Sequence, residues 1–452
     1  MNRVPRDLKK ISITKGDRSA VRVYATHVRN LLIWNIASPY GLAAISFFIF
    51  VAAYFFPPAL YTRYLDERDF LFLDPASLLF FLLCMFGFCA GLLVVDVLYP
   101  LRGFTKARRT PQFSAMWFVL LPVAAATIFT VFSCAVLLRD NAYLLELLLS
   151  AQASQLKTEG GMQVNGPISQ AAPMLMGVVW WALWRKGDEF FSGRQKLIVN
   201  LSLFLATIAL FVSATLMVSR GELMPIIAGI ATVIMLRRLK DDRFTLSSLF
   251  KFGMILTISV MFLFTAFSML RGQSDPDILI GDILGYSLAS YNRLAALLAG
   301  KFHYPFSGRG IYISAFVAFN KSFNYLFHVN RLFDWPDFDT VWLGEFDAVS
   351  AAGLNGRLIW SGTFGYIYSD FGWFSPLILF LHGLIAGWAW RMLRLGKTAG
   401  VVLYPWCAFC ILYWFGTNYL LDPKVVDLVL VAIALSIYES LFSRERKEMS
   451  PQ

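Results

Sequence analysis

Charged side chains are scarce in this sequence: Asp, Glu, Lys and Arg together make up 15% of 452 residues. A soluble globular domain carries about 25%, so the composition excludes one. It also removes nucleic acid as a partner, although the formal net charge is +11. Much of that excess sits in short segments between apolar runs, which is the bias of cytoplasmic loops in membrane proteins. Cysteine is equally sparse. Cys84, Cys89, Cys134, Cys407 and Cys410 all fall inside apolar runs. Cys407-x-x-Cys410 has no second pair and no His close by, so these are packing residues rather than metal ligands or a redox pair. There is no repeat of fixed period and no low-complexity segment. A cleavable signal peptide is not expected either, because the basic N-terminal stretch is long and the first apolar run is full length.

What the sequence does contain is apolar runs long enough to cross a bilayer, which takes about 20 residues. The pattern predicts an all-α, polytopic membrane protein of about 10–12 transmembrane helices. Residues 1–30 are a basic cytoplasmic segment, with 18–30 suited to lie on anionic lipid. Residues 31–270 hold seven spans, at about 31–56, 76–99, 113–138, 171–184, 197–218, 222–236 and 249–270. Residues 373–441 hold three more, at about 373–393, 400–418 and 424–441, and 442–452 form a cytoplasmic tail. The basic loops then fall on one side, and the acidic loop 57–74, with Asp66 and Glu67, on the other. The segment 143–149 is too short to cross and is expected along the interface; 157–167 carries turn signals. Trp180, Trp181 and Trp184 near the inner end of the fourth span fit an aromatic belt.

Between these blocks, residues 271–372 form the organising stretch. The apolar runs break up, and Arg271, Arg293, Arg309, Arg331 and Arg357 appear among aromatics, glycines and acids. The segments 278–299 and 311–329 are apolar but interrupted by polar groups. Each fits a short or half-inserted helix, and two full crossings would also satisfy the charge rule. The loop 330–356 is too aromatic to be disordered, with Phe333, Trp335, Phe338, Trp342 and Phe346.

Two arginines stand where the charge rule does not ask for them. Arg220 lies in the tight turn between the fifth and sixth spans, and Arg271 closes the seventh. A charge at membrane depth costs about 3 kcal/mol on insertion scales, and a guanidinium offers a planar fork suited to phosphate. Together with Arg293, Arg309, Arg331 and Arg357, they are candidates for holding an anion at the lip of the bilayer; pairing of Arg220 with an acid such as Glu222 is the plain alternative. For a proton acceptor, Glu345, Asp347, His303, His328 and Asp66 qualify by type, with Glu345 and Asp347 the candidates on the long loop. Trp335 and Trp342 are candidates to stack on sugar rings. Asp275-x-Asp277 and Asp337-x-Asp339 have the spacing of metal-holding acids but also read as turns. Asp370 is expected to cap the start of the span that follows it.

Three features carry a family resemblance. They are Ser219-Arg220-Gly221-Glu222 at the hairpin turn, Arg271 closing the next span, and a long loop ending in Thr363-x-Gly365-Tyr366-x-Tyr368-x-Asp370-Phe371-Gly372. Over roughly 200–395 the chain resembles Wzy-type oligosaccharide repeat-unit polymerases, the family of O-antigen, capsule, exopolysaccharide and enterobacterial common antigen polymerases. The resemblance implies a fold like the GT-C glycosyltransferases, in the bacterial inner membrane, with both termini cytoplasmic and the active face periplasmic. It implies transfer of a glycan from undecaprenyl diphosphate onto a second lipid-linked repeat unit, with membrane lipid and, in some systems, a chain-length regulator as further partners. It implies no metal and no other cofactor. Arg220 and Arg271 match the family's outer arginines most directly, while its Arg-to-Gly loop spacings are not reproduced. An O-antigen ligase is the near alternative, and a flippase or transporter for the same lipid-linked sugar the more distant one.

Overall fold

The computed structural model describes residues 34–65, 67, 73–99, 109–111, 114–143, 146, 171–187, 191–216, 220–240, 245–270, 280–281 and 284–445. Expectations for 1–30, 157–167, Asp66, Arg271, Asp275 and Asp277, and for most of 143–149, lie outside them. Ten helices coincide with the ten predicted spans apart from their ends. They are α1 (Pro39–Tyr54), α3 (Pro75–Leu98), α4 (Ala115–Asp140), α5 (Ala171–Lys186), α6 (Gly193–Leu216), α7 (Arg220–Lys240), α8 (Leu246–Leu270), α15 (Ser375–Arg394), α16 (Thr398–Leu412) and α17 (Lys424–Phe442). A short helix, α2 (Pro58–Leu65), follows α1. Among the described residues, five helices are long and apolar enough to cross a membrane by themselves, one of them the continuous run Gly362–Arg394, and the α1–α2 pair makes a sixth candidate. This is the architecture of a polytopic helical membrane protein.

The first apolar run does not continue straight. Pro57-Pro58 follows α1, and α2 leaves at 94°. A proline cannot donate to the preceding turn, and the residue before one is driven out of the helical region. The bend turns α2 toward the chain's polar end, where Glu67 is needed. The ninth predicted span likewise ends early, at Leu412, and 413–423 form an aromatic turn.

The tightest helix pair is α3 against α15. Gly87 and Gly91 on α3, and Gly383 and Gly387 on α15, each pair four residues apart, line the contact, and Gly91 lies directly against Gly383. A Cβ on Gly91 would run into the carbonyl of Phe380, and one on Gly383 into the carbonyl of Phe88. Small residues at this spacing let two backbones approach where lipid offers no hydrophobic drive. The helices run parallel, and Arg391 on α15 pairs with Asp96 on α3 at their C-terminal ends. Replacing Gly91 by Val is therefore expected to destabilise the protein by about 1–3 kcal/mol or more. Gly253→Ala on α8, where no described residue lies within 4 Å of the added Cβ, is expected to be neutral or mildly stabilising. Thermal unfolding of the two purified variants checks this.

Charged groups sort to two ends. At the basic end, Arg185 on α5 takes Glu439 on α17, Arg237 on α7 donates to the carbonyl of Gly187, and a two-stranded antiparallel ribbon pairs Arg109–Pro111 with Ser443–Glu445. Trp180, Trp181 and Trp184 are buried in the core, which corrects the expectation of an aromatic belt. The Trp181 indole N–H donates to Glu439 at 2.5 Å, Arg237 and Lys240 lie over Trp184, and a Cβ on Gly229 would land in the Trp180 ring. These indoles fill space between α5, α7 and α17 because glycine leaves room for them.

The opposite end carries a cap formed by residues 284–361. It holds a π-turn (Gly285–Ala289) running into α9 (Ser290–Leu298), then α10 (Ala315–Ala318), α11 (Lys321–Phe327), α12 (Val329–Leu332) and α13 (Phe338–Ala351); α14 (Gly362–Phe371) leads back into α15. The segments 278–299 and 311–329 thus form short helices. The longest described helical run in them, the π-turn continued by α9 over Gly285–Leu298, is about 21 Å long, less than the ~30 Å bilayer core, so none of these described helices crosses by itself. A second hydrophobic core, including Phe302, Ile311, Val341, Val349 and Ile359, belongs to this cap.

Candidate functional site

The cap is fixed to the bundle through a buried ion pair. Arg293 on α9 and Glu67 after α2 are both fully buried at the side chain. The guanidinium has five N–H donors, and all are engaged. Nε donates to the carbonyl of Leu358, and Nη1 to Glu67 at 3.1 Å and to Ala289 O at 3.3 Å. Nη2 donates to Glu67 and to Asn355 O at 3.0 Å. Glu67 also accepts the Tyr61 hydroxyl and the Asn355 backbone N–H at 2.9 Å, and Asn292 donates to the Tyr61 oxygen at 2.8 Å. Arg293 has no donor left for a ligand. Its assignment to substrate binding is corrected: it is the bolt between cap and bundle. The sequence placed Glu67 in an outer acidic loop but carried no sign of its partner, which lies more than two hundred residues away.

The second feature is a buried carboxyl. Glu345 on α13 keeps 6% of its area exposed and accepts the Tyr366 hydroxyl at 3.0 Å. Tyr304, Tyr312 and Tyr366 pack together there, Tyr304 and Tyr366 stacked with centroids 5.2 Å apart. Burial pushes the Glu345 carboxyl up to about 8, and the hydrogen bond from Tyr366 only partly offsets this. Burial also raises the hydroxyls of Tyr304 and Tyr312, as does the nearby Glu345 charge. A carboxyl titrating near neutrality suits proton transfer at physiological pH. The other acids and imidazoles in view differ: Asp347, His303 and His328 are exposed. Asp337 is exposed too, and caps α13 by accepting the Thr340 N–H at 2.7 Å. The Asp337-x-Asp339 pair is thereby a helix start. Among the described residues no group of three His, Cys, Asp or Glu could hold a metal ion.

The remaining arginines of the cap, Arg309, Arg331 and Arg357, are exposed. Trp335 donates its indole N–H to Arg309 O at 3.0 Å and its backbone N–H to the carbonyl of Asn330, the residue before Arg331. Its ring stacks on Phe333, centroids 4.8 Å apart. Trp342, half-buried, lies between Phe338 and Phe346 on α13. Asp370 does not cap the following span. Its two oxygens accept the N–H groups of Gly310, Tyr312 and Ile313 at 3.1, 2.8 and 3.0 Å, which pins the 308–313 loop carrying Arg309. The structural reading of Asp370 stands, with a different segment held.

Arg220 opens α7; its side chain, like Arg271, is outside the described residues. Its neighbour Glu222 is committed elsewhere: Lys424 at the start of α17 reaches Glu222 at 2.9 Å and Asp422 at 3.2 Å. The alternative of an Arg220–Glu222 pair therefore has a competitor that sequence reading missed. Asp427, one turn further along α17, was not singled out in the sequence, although an acid inside an apolar run is a signal that marks functional groups in membranes. The structure thus brings together Arg309, Trp335 and Asp370 on one loop system, and Glu345 with three tyrosines; Asp347 and Arg357 stand apart on the surface.

No family model matches the chain, and no curated protein and no solved structure is similar to it.

Proposed function

We propose that this chain is a membrane glycosyltransferase that polymerises undecaprenyl-diphosphate-linked oligosaccharide repeat units at the end opposite its basic loops, the periplasmic side of a bacterial inner membrane. The fold is then of the GT-C kind. The observation that carries the reading is the Glu345 carboxyl, buried under tyrosines in an aromatic cap that sits at the mouth of a helical bundle. In the reaction a hydroxyl oxygen of the acceptor repeat attacks the anomeric carbon of the donor glycan. The new C–O bond forms as the anomeric C–O bond to the diphosphate breaks, and the electron pair leaves with undecaprenyl diphosphate. The hydroxyl proton passes to Glu345. Arg220 and Arg271, with Arg309 and Arg331 as outlying cations, stabilise the charge that develops on the diphosphate; Trp335 and Trp342 contact sugar rings.

The test is bond formation itself. Purified protein in proteoliposomes with lipid-linked repeat units is expected to yield a glycan ladder, and Arg220→Ala and Arg271→Ala are each expected to shorten or erase it while the protein remains inserted. Translocation of the lipid-linked sugar without any ladder would replace this reading by the flippase. Transfer of a preformed polymer to another acceptor, without elongation, would replace it by the ligase.

A further inference from the structure

In and just after the turn 413–423 between α16 and α17, buried polar atoms meet no hydrogen-bonding partner among the described residues. Asn418 is 8% exposed, and neither its amide oxygen nor its amide nitrogen meets a hydrogen-bonding partner. Asp427 is 3% exposed; its carboxylate takes a hydrogen bond from the Asn320 side chain, but its Oδ1 meets no partner among the described residues. Leaving a buried polar group unpaired costs about 1–3 kcal/mol, so unpaired atoms on two side chains of one short region call for a ligand that pairs them. The two residues are nine residues apart in the chain. Asn418 opens the turn through Tyr419–Leu421, Asp422 closes it, and Lys424 begins α17, on whose next turn Asp427 sits. Asn320, at the end of the α10 segment, donates to the carbonyl of Pro423 at 3.1 Å, so the cap roofs this turn. Tyr419 forms an aromatic wall with Phe409, Tyr413 and Trp406, centroids 4.9, 5.3 and 6.2 Å away.

We infer that this turn is a sugar-binding subsite in which Asn418 and Asp427 take hydroxyl groups of a glycan. The chemistry selects the ligand class. An amide oxygen and a carboxylate oxygen want donors, whereas the amide nitrogen wants an acceptor. A metal cation would satisfy the oxygens, leave the amide N–H groups bare, and meet the Lys424 ammonium next door. Phosphate would satisfy the N–H groups and be repelled by Asp427. Adjacent hydroxyls, each both donor and acceptor, satisfy all three atoms. Lys424 is already held by Glu222 and Asp422, so the subsite has no net pull on an anion. Through Glu222, the third residue of α7, it lies near the start of the helix that Arg220 opens. The inference rests on the transferase reading only for which sugar is bound: the residue of the lipid-linked repeat close to its diphosphate.

The experiment is thermal unfolding of the detergent-purified full chain with a panel of free hexoses, N-acetylhexosamines and short oligosaccharides, beside sodium chloride and inorganic phosphate. At least one saccharide is expected to raise Tm by about 2 °C or more. Asn418→Ala and Asp427→Asn are each expected to remove that shift, and Glu345→Gln to keep it. The inference is overturned if no saccharide shifts the wild type, if the shift survives in both subsite variants, or if sodium or phosphate alone produces a shift that depends on Asp427. Should a variant fail to fold, Asn418→Asp, which keeps the oxygen and loses the N–H groups, is expected to weaken saccharide binding at least tenfold in titrations; unchanged affinity overturns the inference. A saccharide shift that persists while Glu345→Gln still builds a ladder would remove the mechanism proposed above and leave this subsite standing.

Discussion

Glu345→Gln is expected to abolish the glycan ladder while leaving the protein folded. Gln has the shape of a protonated Glu, its amide oxygen still accepts the Tyr366 hydroxyl, and it cannot take a proton from an attacking sugar. General-base catalysis contributes about 10²–10⁴-fold, so a rate loss on the order of 10² or more is the expected reading. The pH dependence separates this role from a structural one. The folded carboxyl titrates near 8, above its ordinary 4.5, so between those values the folded state keeps a proton that the unfolded chain has lost. Stability therefore falls as pH rises from about 4.5 to about 8 and levels off beyond. The Gln variant loses that slope: its Tm matches wild type near pH 4 and exceeds it near pH 8. Wild-type activity moves the other way, rising with pH as the base form grows. Glu345→Ala should lose activity too, but also stability, since it opens a cavity and strips Tyr366 of its acceptor. A Gln variant with an undiminished ladder would remove Glu345 from the chemistry.

The helices were legible in the sequence, and for a physical reason: a span needs only apolar length and basic flanks, both of which are local. What was not legible is how far-apart residues meet. Arg293 looked like one more outer arginine because nothing near it announces Glu67; the pair forms only after α2 bends at Pro57-Pro58 and α9 lies across it. Asp370 was rightly read as structural, but its carboxylate serves a loop sixty residues upstream rather than its own helix. The three tryptophans of α5 went wrong for a different reason. Position near a span's end is a statistical cue for the interface, whereas the neighbouring Gly229 makes room for an indole inside the bundle. Glu345 could not be told from Asp347 by spacing, since the two differ only in which face of α13 is covered. The common thread is that membrane depth can be read from composition, while pairing requires the fold.

Breaking the Arg293–Glu67 pair is the second large effect, and it falls on stability. Removing one partner of a buried ion pair leaves an uncompensated charge, at a cost of about 3–5 kcal/mol. Glu67→Gln and Arg293→Met are each expected to lower Tm steeply or to prevent purification. The double replacement removes both charges together, so it should recover a large part of the loss, although Tyr61 and Asn355 lose the carboxylate they donate to. Arg293→Lys is the sharper probe. It keeps the charge, but an ammonium has three donors where the site presents five acceptor contacts, so it should still destabilise. If Arg293 held substrate instead, the lysine variant would keep wild-type stability and lose the ladder. The bolt also explains how a cap of short helices can be held still over a bundle in lipid. Its own core is small; the hydrogen bonds from Arg293 to Leu358 and Asn355 tie α9 to the 355–358 turn, and those from Arg293 to Glu67 and from Asn355 to the Leu65 carbonyl tie both to the end of α2. Loosening that joint should therefore raise hydrogen exchange throughout 284–361 before it affects α3 and α15, whose glycine-mediated contact is independent of it. Uniform exchange across cap and bundle in a purified Arg293→Lys variant would show that the cap does not depend on this pair.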